Sequence, residues 1–304
     1  MVTPTDNHPA IEIIGLTKRF GRTLAVKNLY LKIPRGCAFG LLGPNGAGKS
    51  TTIRMLMGTL SATVGEARVL GIDVRDDPTR VKQRVGYVPE THQIYRWMRV
   101  KEVIGFCRSC YQTWNDATCR EMLDRFALDP DKKVKQLSKG MLGKLALLLA
   151  VSHEPELLLL DEPLSGLDPI AREEFLDGVL QVLCDKGKTV LISSHVLDDV
   201  RRLADSVAIL DEVQLLVQGN LDELLTTTKR VAVTLRDGSR PERAPAGTVW
   251  QRVQGRQWLA TIRDFSPEKE QQLRALEFAE RVEVLDLDLE ELFKDFVIGQ
   301  RVAI

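Results

Sequence analysis

Apolar positions recur along this chain in three rhythms, and each rhythm predicts a different element. Short unbroken runs at Ala38–Leu42, Leu157–Leu160 and Thr189–Ile192 read as strands buried on both faces. Strict alternation marks half-buried strands: Leu29, Leu31 and Ile33 share one face, as do Val231, Val233 and Leu235, and then Trp258, Ala260 and Ile262. Ile11–Ile14 and Arg84–Val88 are further strands, the second stopped by Pro89. Spacing of three and four marks helices, with Ile53, Leu56, Met57 and Leu60 on one stripe and Leu289, Leu292, Phe293 and Phe296 on another.

Helix starts are also written in the chain. Ser138 stands as a cap before the strongly apolar helix that runs through Val151, Ser266 precedes Pro267, and Asp288 has Glu291 three residues on. From His92 to Gln136 the pattern is helical and charged, which predicts a helical lobe over about 92–152. Its aromatics Trp97, Tyr111 and Trp114 either pack the lobe onto the main body or form a partner surface. Gly65, Gly71 and Pro78 read as a turn-rich region.

Composition narrows the setting. A chain of 304 residues exceeds what one core usually holds, so two domains are expected, 1–225 and a small α+β domain over 226–304. The 42 basic and 42 acidic residues cancel, so overall charge does not recruit the chain to nucleic acid or an anionic membrane. Apolar runs such as Leu145–Val151 fall far short of the roughly 20 residues a membrane span needs. Met1–Ala10 is polar, without the features of a secretory signal, so a cytoplasmic location is expected. Five cysteines are an odd number and do not suggest a disulfide framework; Cys107, Cys110 and Cys119 read as small packed side chains rather than a metal site.

The chemistry centres on Gly43-Pro44-Asn45-Gly46-Ala47-Gly48-Lys49-Ser50, followed by Thr51, a full G-x-x-x-x-G-K-[ST] phosphate cradle between a predicted strand and helix. Glycines let successive N–H groups face one anion, and the helix N-terminus adds about half a positive charge. Lys49 reaches terminal phosphates in such a loop, and the Ser50 hydroxyl ligates Mg²⁺. Asp161 and Glu162 end the Leu157–Leu160 run, where ligands of open α/β sheets bind; there Asp161 is expected to hold the Mg²⁺ shell and Glu162 to polarise water. His195 ends the Thr189–Ile192 strand in the same way. Phe20, upstream of the cradle, either stacks on a base or simply packs.

In order and spacing these residues resemble the nucleotide-binding subunit of the ATP-binding cassette (ABC) transporters, from about Ile11 to Leu225. The carrying features are Phe20, the loop Gly43–Thr51, Glu90, the signature Leu137–Met141, Asp161-Glu162, Ser165–Asp168 and His195. The resemblance implies an α/β P-loop NTPase cassette, a mixed-sheet core with a helical lobe, followed here by the small α+β domain. It implies ATP and Mg²⁺ as ligands, with Ser50, Asp161 and Glu90 toward the metal. It implies a head-to-tail dimer, of two copies or of paired cassettes, in which Ser138 and Gly140 contact the γ-phosphate across the interface and Ser165–Asp168 couples the two sites. It implies that His195 contacts the γ-phosphate and that an integral membrane permease on another chain is driven from the inner face of the cell membrane, as in bacterial export-type cassettes.

Two departures from the family pattern stand out. The signature usually reads Leu-Ser-Gly-Gly-Gln, whereas Lys139 and Met141 occupy its third and fifth positions here. Glutamine is usual where this chain has Glu90, and a carboxylate there can still ligate Mg²⁺ or orient water. The rival reading is a soluble cassette ATPase of repair, translation or cluster assembly; one cassette, no long heptad insertion and no basic surplus stand against it. A P-loop kinase or GTPase leaves the signature and His195 unexplained.

Overall fold

The computed structural model describes residues 8–184, 187–236 and 244–302. The chain divides into two compact units, one ending at Gln218 and one starting at Gly219.

The first unit is built on a six-stranded sheet in the order Gln214–Asn220, Ser206–Asp211, Ala38–Leu42, Thr189–Ser194, Leu157–Asp161, Val85–Val88. Ala38–Leu42 runs parallel to both of its neighbours, and Leu157–Asp161 does the same. The leucines of Leu157–Leu160 are buried on both faces, which is why the run is continuous rather than alternating. In parallel strands the carboxyl ends share one edge. Leu42 lies opposite Ser194 and Asp161 opposite Ser193, so the residues that follow these strands emerge side by side.

A four-stranded antiparallel sheet, Thr23–Ile33, Ile11–Phe20, Val64–Val69 and Ile72–Asp73, completes the mixed core. The first two form a long hairpin, so Lys18–Phe20 is strand rather than connection. Val64–Val69 is hidden in the sequence by its glycine. Gly65 has φ +88° and its backbone passes so close to Gly15 that an added Cβ would lie 2.5 Å from the Gly15 carbonyl carbon; no side chain fits there. One apolar cluster joins Ile11, Leu29 and Ile33 to Ile53 and Leu56 of the helix Lys49–Leu56 and to Leu157 and Leu191 of the parallel sheet.

The lobe contains the helices Val100–Cys110, Asp116–Arg125 and Lys139–Val151. Lys139–Val151 packs on Val85–Val88, Asp116–Arg125 and the following helix Pro169–Cys184, and is accordingly apolar nearly all round, with Leu145, Leu147 and Leu148 fully buried. Cys107, Cys110 and Cys119 are free thiols, and burial pushes the Cys107 thiol up to about 11. Among the described residues no helix is long and apolar enough to cross a membrane.

The second unit is an antiparallel sheet in the order Thr248–Gln254, Gln257–Ile262, Lys229–Leu235, Ala279–Asp286, with helices Pro267–Arg274 and Leu289–Val302. Val231, Val233, Leu235, Trp258, Ala260 and Ile262 form its core. Beyond the two strands expected from alternation there are two edge strands, whose exposed charges such as Glu280, Arg281 and Glu283 mask any pattern and guard the edges. The helix Leu221–Thr227, capped by Asn220, also belongs to this unit, which begins at Gly219.

Candidate active site

The turn Gly43–Gly48 carries the chain from the strand Ala38–Leu42 into the helix Lys49–Leu56. Gly46 and Gly48 have φ +85° and +98°, and a Cβ on Gly48 would lie 2.5 Å from the Ala25 carbonyl oxygen. Gly48 is the helix cap and offers no side chain to the first-turn amides, and no acid stands in that turn. Those N–H groups and the positive end of the helix therefore face the loop.

Lys49 lies folded into the loop, with Nζ donating to the carbonyls of Gly43 at 2.7 Å and Pro44 at 3.2 Å. The same ammonium is 3.0 Å from Oε1 of Glu162, and both side chains are more than nine-tenths buried. Glu162 Oε2 is 2.8 Å from Nδ1 of His195. The Glu162 backbone is held at φ +46°, an unfavourable conformation for a residue with a Cβ, and its N–H donates to Ser193 Oγ at 2.9 Å. Parallel register thus gives the carboxylate two cationic or polar partners from two neighbouring loops.

Asp161 is buried beside it. Its Oδ1 accepts from Ser50 Oγ at 2.8 Å and from Ser193 Oγ at 3.0 Å, while Oδ2 is buried with no partner. Burial raises the Asp161 carboxyl above the usual range, opposed by the two hydroxyls. An orphaned carboxylate oxygen next to a phosphate-loop hydroxyl is an all-oxygen donor set, and it suits Mg²⁺. Ser193 is the member that sequence pattern missed; its only signal is that it directly follows the apolar run Thr189–Ile192, within the strand Thr189–Ser194 that pairs with Leu157–Asp161.

A cavity of about 440 Å³ opens over the loop, lined by Thr23, Leu24, Ala25, Asn45–Thr51, Glu90 and Glu162. Its volume is that of a small-molecule site. Phe20 stands at the tip of the hairpin that supplies Thr23, half exposed, with the Lys18 ammonium 4.9 Å from its ring centre. Three expected site residues lie elsewhere. Ser138 Oγ accepts from Met141 N at 3.2 Å and so caps the helix Lys139–Val151. Gly140 packs on Ala171, where a Cβ would come within 2.6 Å of the alanine methyl. Asp168 Oδ1 accepts from the amides of Ile170 and Ala171 at 3.1 and 3.0 Å, capping Pro169–Cys184. Within one chain, then, Gly43–Thr51, Glu90, Asp161, Glu162 and His195 come together, and Ser138, Gly140 and Asp168 form a second cluster.

This arrangement defines a P-loop ATPase: an amide cradle with its lysine, a hydroxyl paired to a buried acid, and a second carboxylate aligned by a histidine. The pattern of the family described as "ABC transporter" matches residues 26–165. An uncharacterized ABC transporter ATP-binding protein of Synechocystis sp. is 37% identical over 221 residues, 70% of this chain and 62% of that protein, so the chain spans less than two thirds of that relative. The daunorubicin/doxorubicin resistance ATP-binding protein DrrA of Streptomyces peucetius is 37% identical over 242 residues, 78% of this chain and 73% of that protein. A solved ATP-binding subunit of an ABC transporter, 28% identical, matches with a TM-score of 0.64 over 70% of this chain and 91% of that one. The chain belongs to the ABC transporter family, as an ATP-binding cassette that hydrolyses ATP.

Proposed function

We propose that the chain is the ATP-hydrolysing subunit of an exporter whose substrate pathway is formed by an integral membrane permease on another chain, with the cassette bound at the inner face of the cell membrane. The observation that carries the hydrolytic role is Glu162, strained, buried and held between Lys49 and His195 beside the Ser50–Asp161 pair. Amides of Asn45–Gly48 and the Lys49 ammonium hold the β- and γ-phosphates. Glu162 accepts a proton from water as its oxygen attacks the γ-phosphorus and the bond to the bridging oxygen breaks, releasing ADP. His195 keeps the carboxylate aimed and lies within reach of the γ-phosphate. Mg²⁺, when bound by Ser50 and Asp161 with Glu90 on its water shell, neutralises phosphate charge.

Ser138 and Gly140 stand at a helix N-terminus that does not line the cavity of its own chain. A second cassette placed head to tail brings that terminus onto the γ-phosphate, which supports a dimer as the hydrolysing unit. The permease contact is proposed on the lobe, where Tyr95, Trp97 and Phe106 are 57, 70 and 50% exposed beside an apolar cavity of about 410 Å³. Export, rather than uptake, is supported by the relative named for drug resistance.

A tagged Glu162→Gln chain, held with ATP and purified from detergent-solubilised membranes of its native host, tests the reading. Stoichiometric recovery of a multi-span membrane protein supports it. Recovery of only soluble protein, ribosomes or nucleic acid moves the assignment to a soluble cassette ATPase.

A further inference from the structure

We propose that Arg172 and Asp199 form a positioning pair for His195: their bidentate contact fixes the short helix behind His195 against the helix that starts after Asp168, and so sets the aim of the imidazole on Glu162. The role of the pair rests on the hydrolytic reading of Glu162 and His195.

His195 leaves the strand Thr189–Ser194 and leads through Val196 into the helix Leu197–Leu203. Ser194 Oγ accepts from Val196 N at 2.9 Å and donates to the Val196 carbonyl at 3.1 Å, so the chain turns tightly at His195. The imidazole therefore follows the helix behind it.

That helix does not fix its own place. It has seven residues and Val196 gives it no side-chain cap, and a helix so short is marginal by itself. Val200 and Leu203 are buried, with Val200 over Gly40 in space that a Cβ would fill. Apolar contact of this kind is non-directional, so it presses the helix onto the sheet without fixing its slide or rotation. Direction comes from Asp199, which lies in the first turn and is 3% exposed. Its Oδ1 accepts from Arg172 Nε at 2.7 Å and its Oδ2 from Arg172 Nη2 at 2.5 Å, a planar fork that sets both distance and orientation.

Arg172 stands in the first turn of Pro169–Cys184, which is itself anchored by the Asp168 cap and by Ala171 lying against Gly140. A second fork, Arg202 to Glu173 at 2.6 and 2.7 Å, joins the same two helices, but both side chains are about half exposed and water screens them. The buried fork is thus the stiff link. A buried ion pair adds little net stability over an apolar pair of similar volume, so its place one helical turn from His195 points to register.

Turnover and ATP affinity of the full chain are compared with those of Asp199→Asn, His195→Ala and the double variant, with Arg172→Lys as a second way to break the fork while keeping the opposed charges. Asp199→Asn and Arg172→Lys are each expected to lower kcat about tenfold or more, within the roughly hundredfold that misplacing a group by about 1 Å can cost, with ATP affinity unchanged. In the His195→Ala background, Asp199→Asn should change kcat by less than about twofold, because no imidazole is left to aim. Unchanged turnover in both Asp199→Asn and Arg172→Lys overturns the proposal, as does a loss of ATP affinity in place of kcat. A further loss of full size in the His195→Ala background also overturns it and makes the pair a support of the fold. Full turnover of His195→Ala alone overturns the role of His195 itself, and this inference falls with it.

Discussion

Glu162 Oε2 lies 2.8 Å from His195 Nδ1, while the other carboxylate oxygen is 3.0 Å from the Lys49 ammonium. One carboxylate is therefore aimed by a histidine at one oxygen and tied to the phosphate loop at the other. Replacing it by glutamine keeps the shape and hydrogen-bonding reach but removes the base. Glu162→Gln is expected to lower steady-state ATP hydrolysis by roughly 10²–10⁴-fold while ATP binding persists. Phosphate release is the measurement, and near-normal turnover would remove Glu162 from the role.

Lys49 is expected to act on affinity first. Its ammonium is already organised by the Gly43 and Pro44 carbonyls, so it points where the terminal phosphates sit in the cradle. Lys49→Ala removes charge-assisted contacts of roughly 1.5–3 kcal/mol, about one to two orders of magnitude in affinity. Titration with a fluorescent ATP analogue reads this directly. An unchanged dissociation constant would contradict the assignment of the loop.

Much of this site was legible in the chain because its chemistry follows strand ends. The loop Gly43–Ser50 and the pair Asp161-Glu162 directly follow apolar runs, His195 directly follows the strand Thr189–Ser194, and parallel pairing needed only to put those ends on one edge. Ser193 was not legible, since a serine at a strand end has no signature until register sets it against Asp161. The strand Val64–Val69 was lost for the opposite reason. Gly65, which reads as a turn, is there because two backbones cross too closely for a side chain. The helix Pro169–Cys184 is not marked in the sequence, where Asp168 reads as part of the turn that couples the two sites; in the structure its carboxylate also accepts from the first amides of that helix.

Asp161 offers a test of the metal. Its Oδ1 is occupied by Ser50 and Ser193 and its buried Oδ2 has no partner. Asparagine preserves an acceptor for both hydroxyls and removes the charge that burial disfavours, so Asp161→Asn should fold at least as stably as the parent. ATP affinity measured with Mg²⁺ and with EDTA should differ in the parent and become nearly equal in the variant. A variant that keeps the full Mg²⁺ dependence would show that the cation is held elsewhere.

At the opposite edge of the parallel sheet, Glu156 ties strand starts together. Its carboxylate takes Arg84 Nε at 2.5 Å and Nη2 at 2.9 Å, and Arg35 Nη1 at 2.9 Å, and its backbone bonds to Arg84 and Thr189. Hydrogen bonding from Arg84 first, and from Arg35 after it, holds the Glu156 carboxyl below the usual glutamate range despite partial burial. A depressed folded value means that the unfolded chain binds the proton more readily. The stabilisation is then fully present above the unfolded value, roughly pH 4.3, and is lost as pH falls through the lower folded value. Urea unfolding of the parent and of Glu156→Gln should therefore differ most at neutral pH, with the parent more stable, and the two midpoints should converge as pH falls through the depressed folded value. A gap that is independent of pH would mean that the carboxylate acts by shape alone and not by its charge.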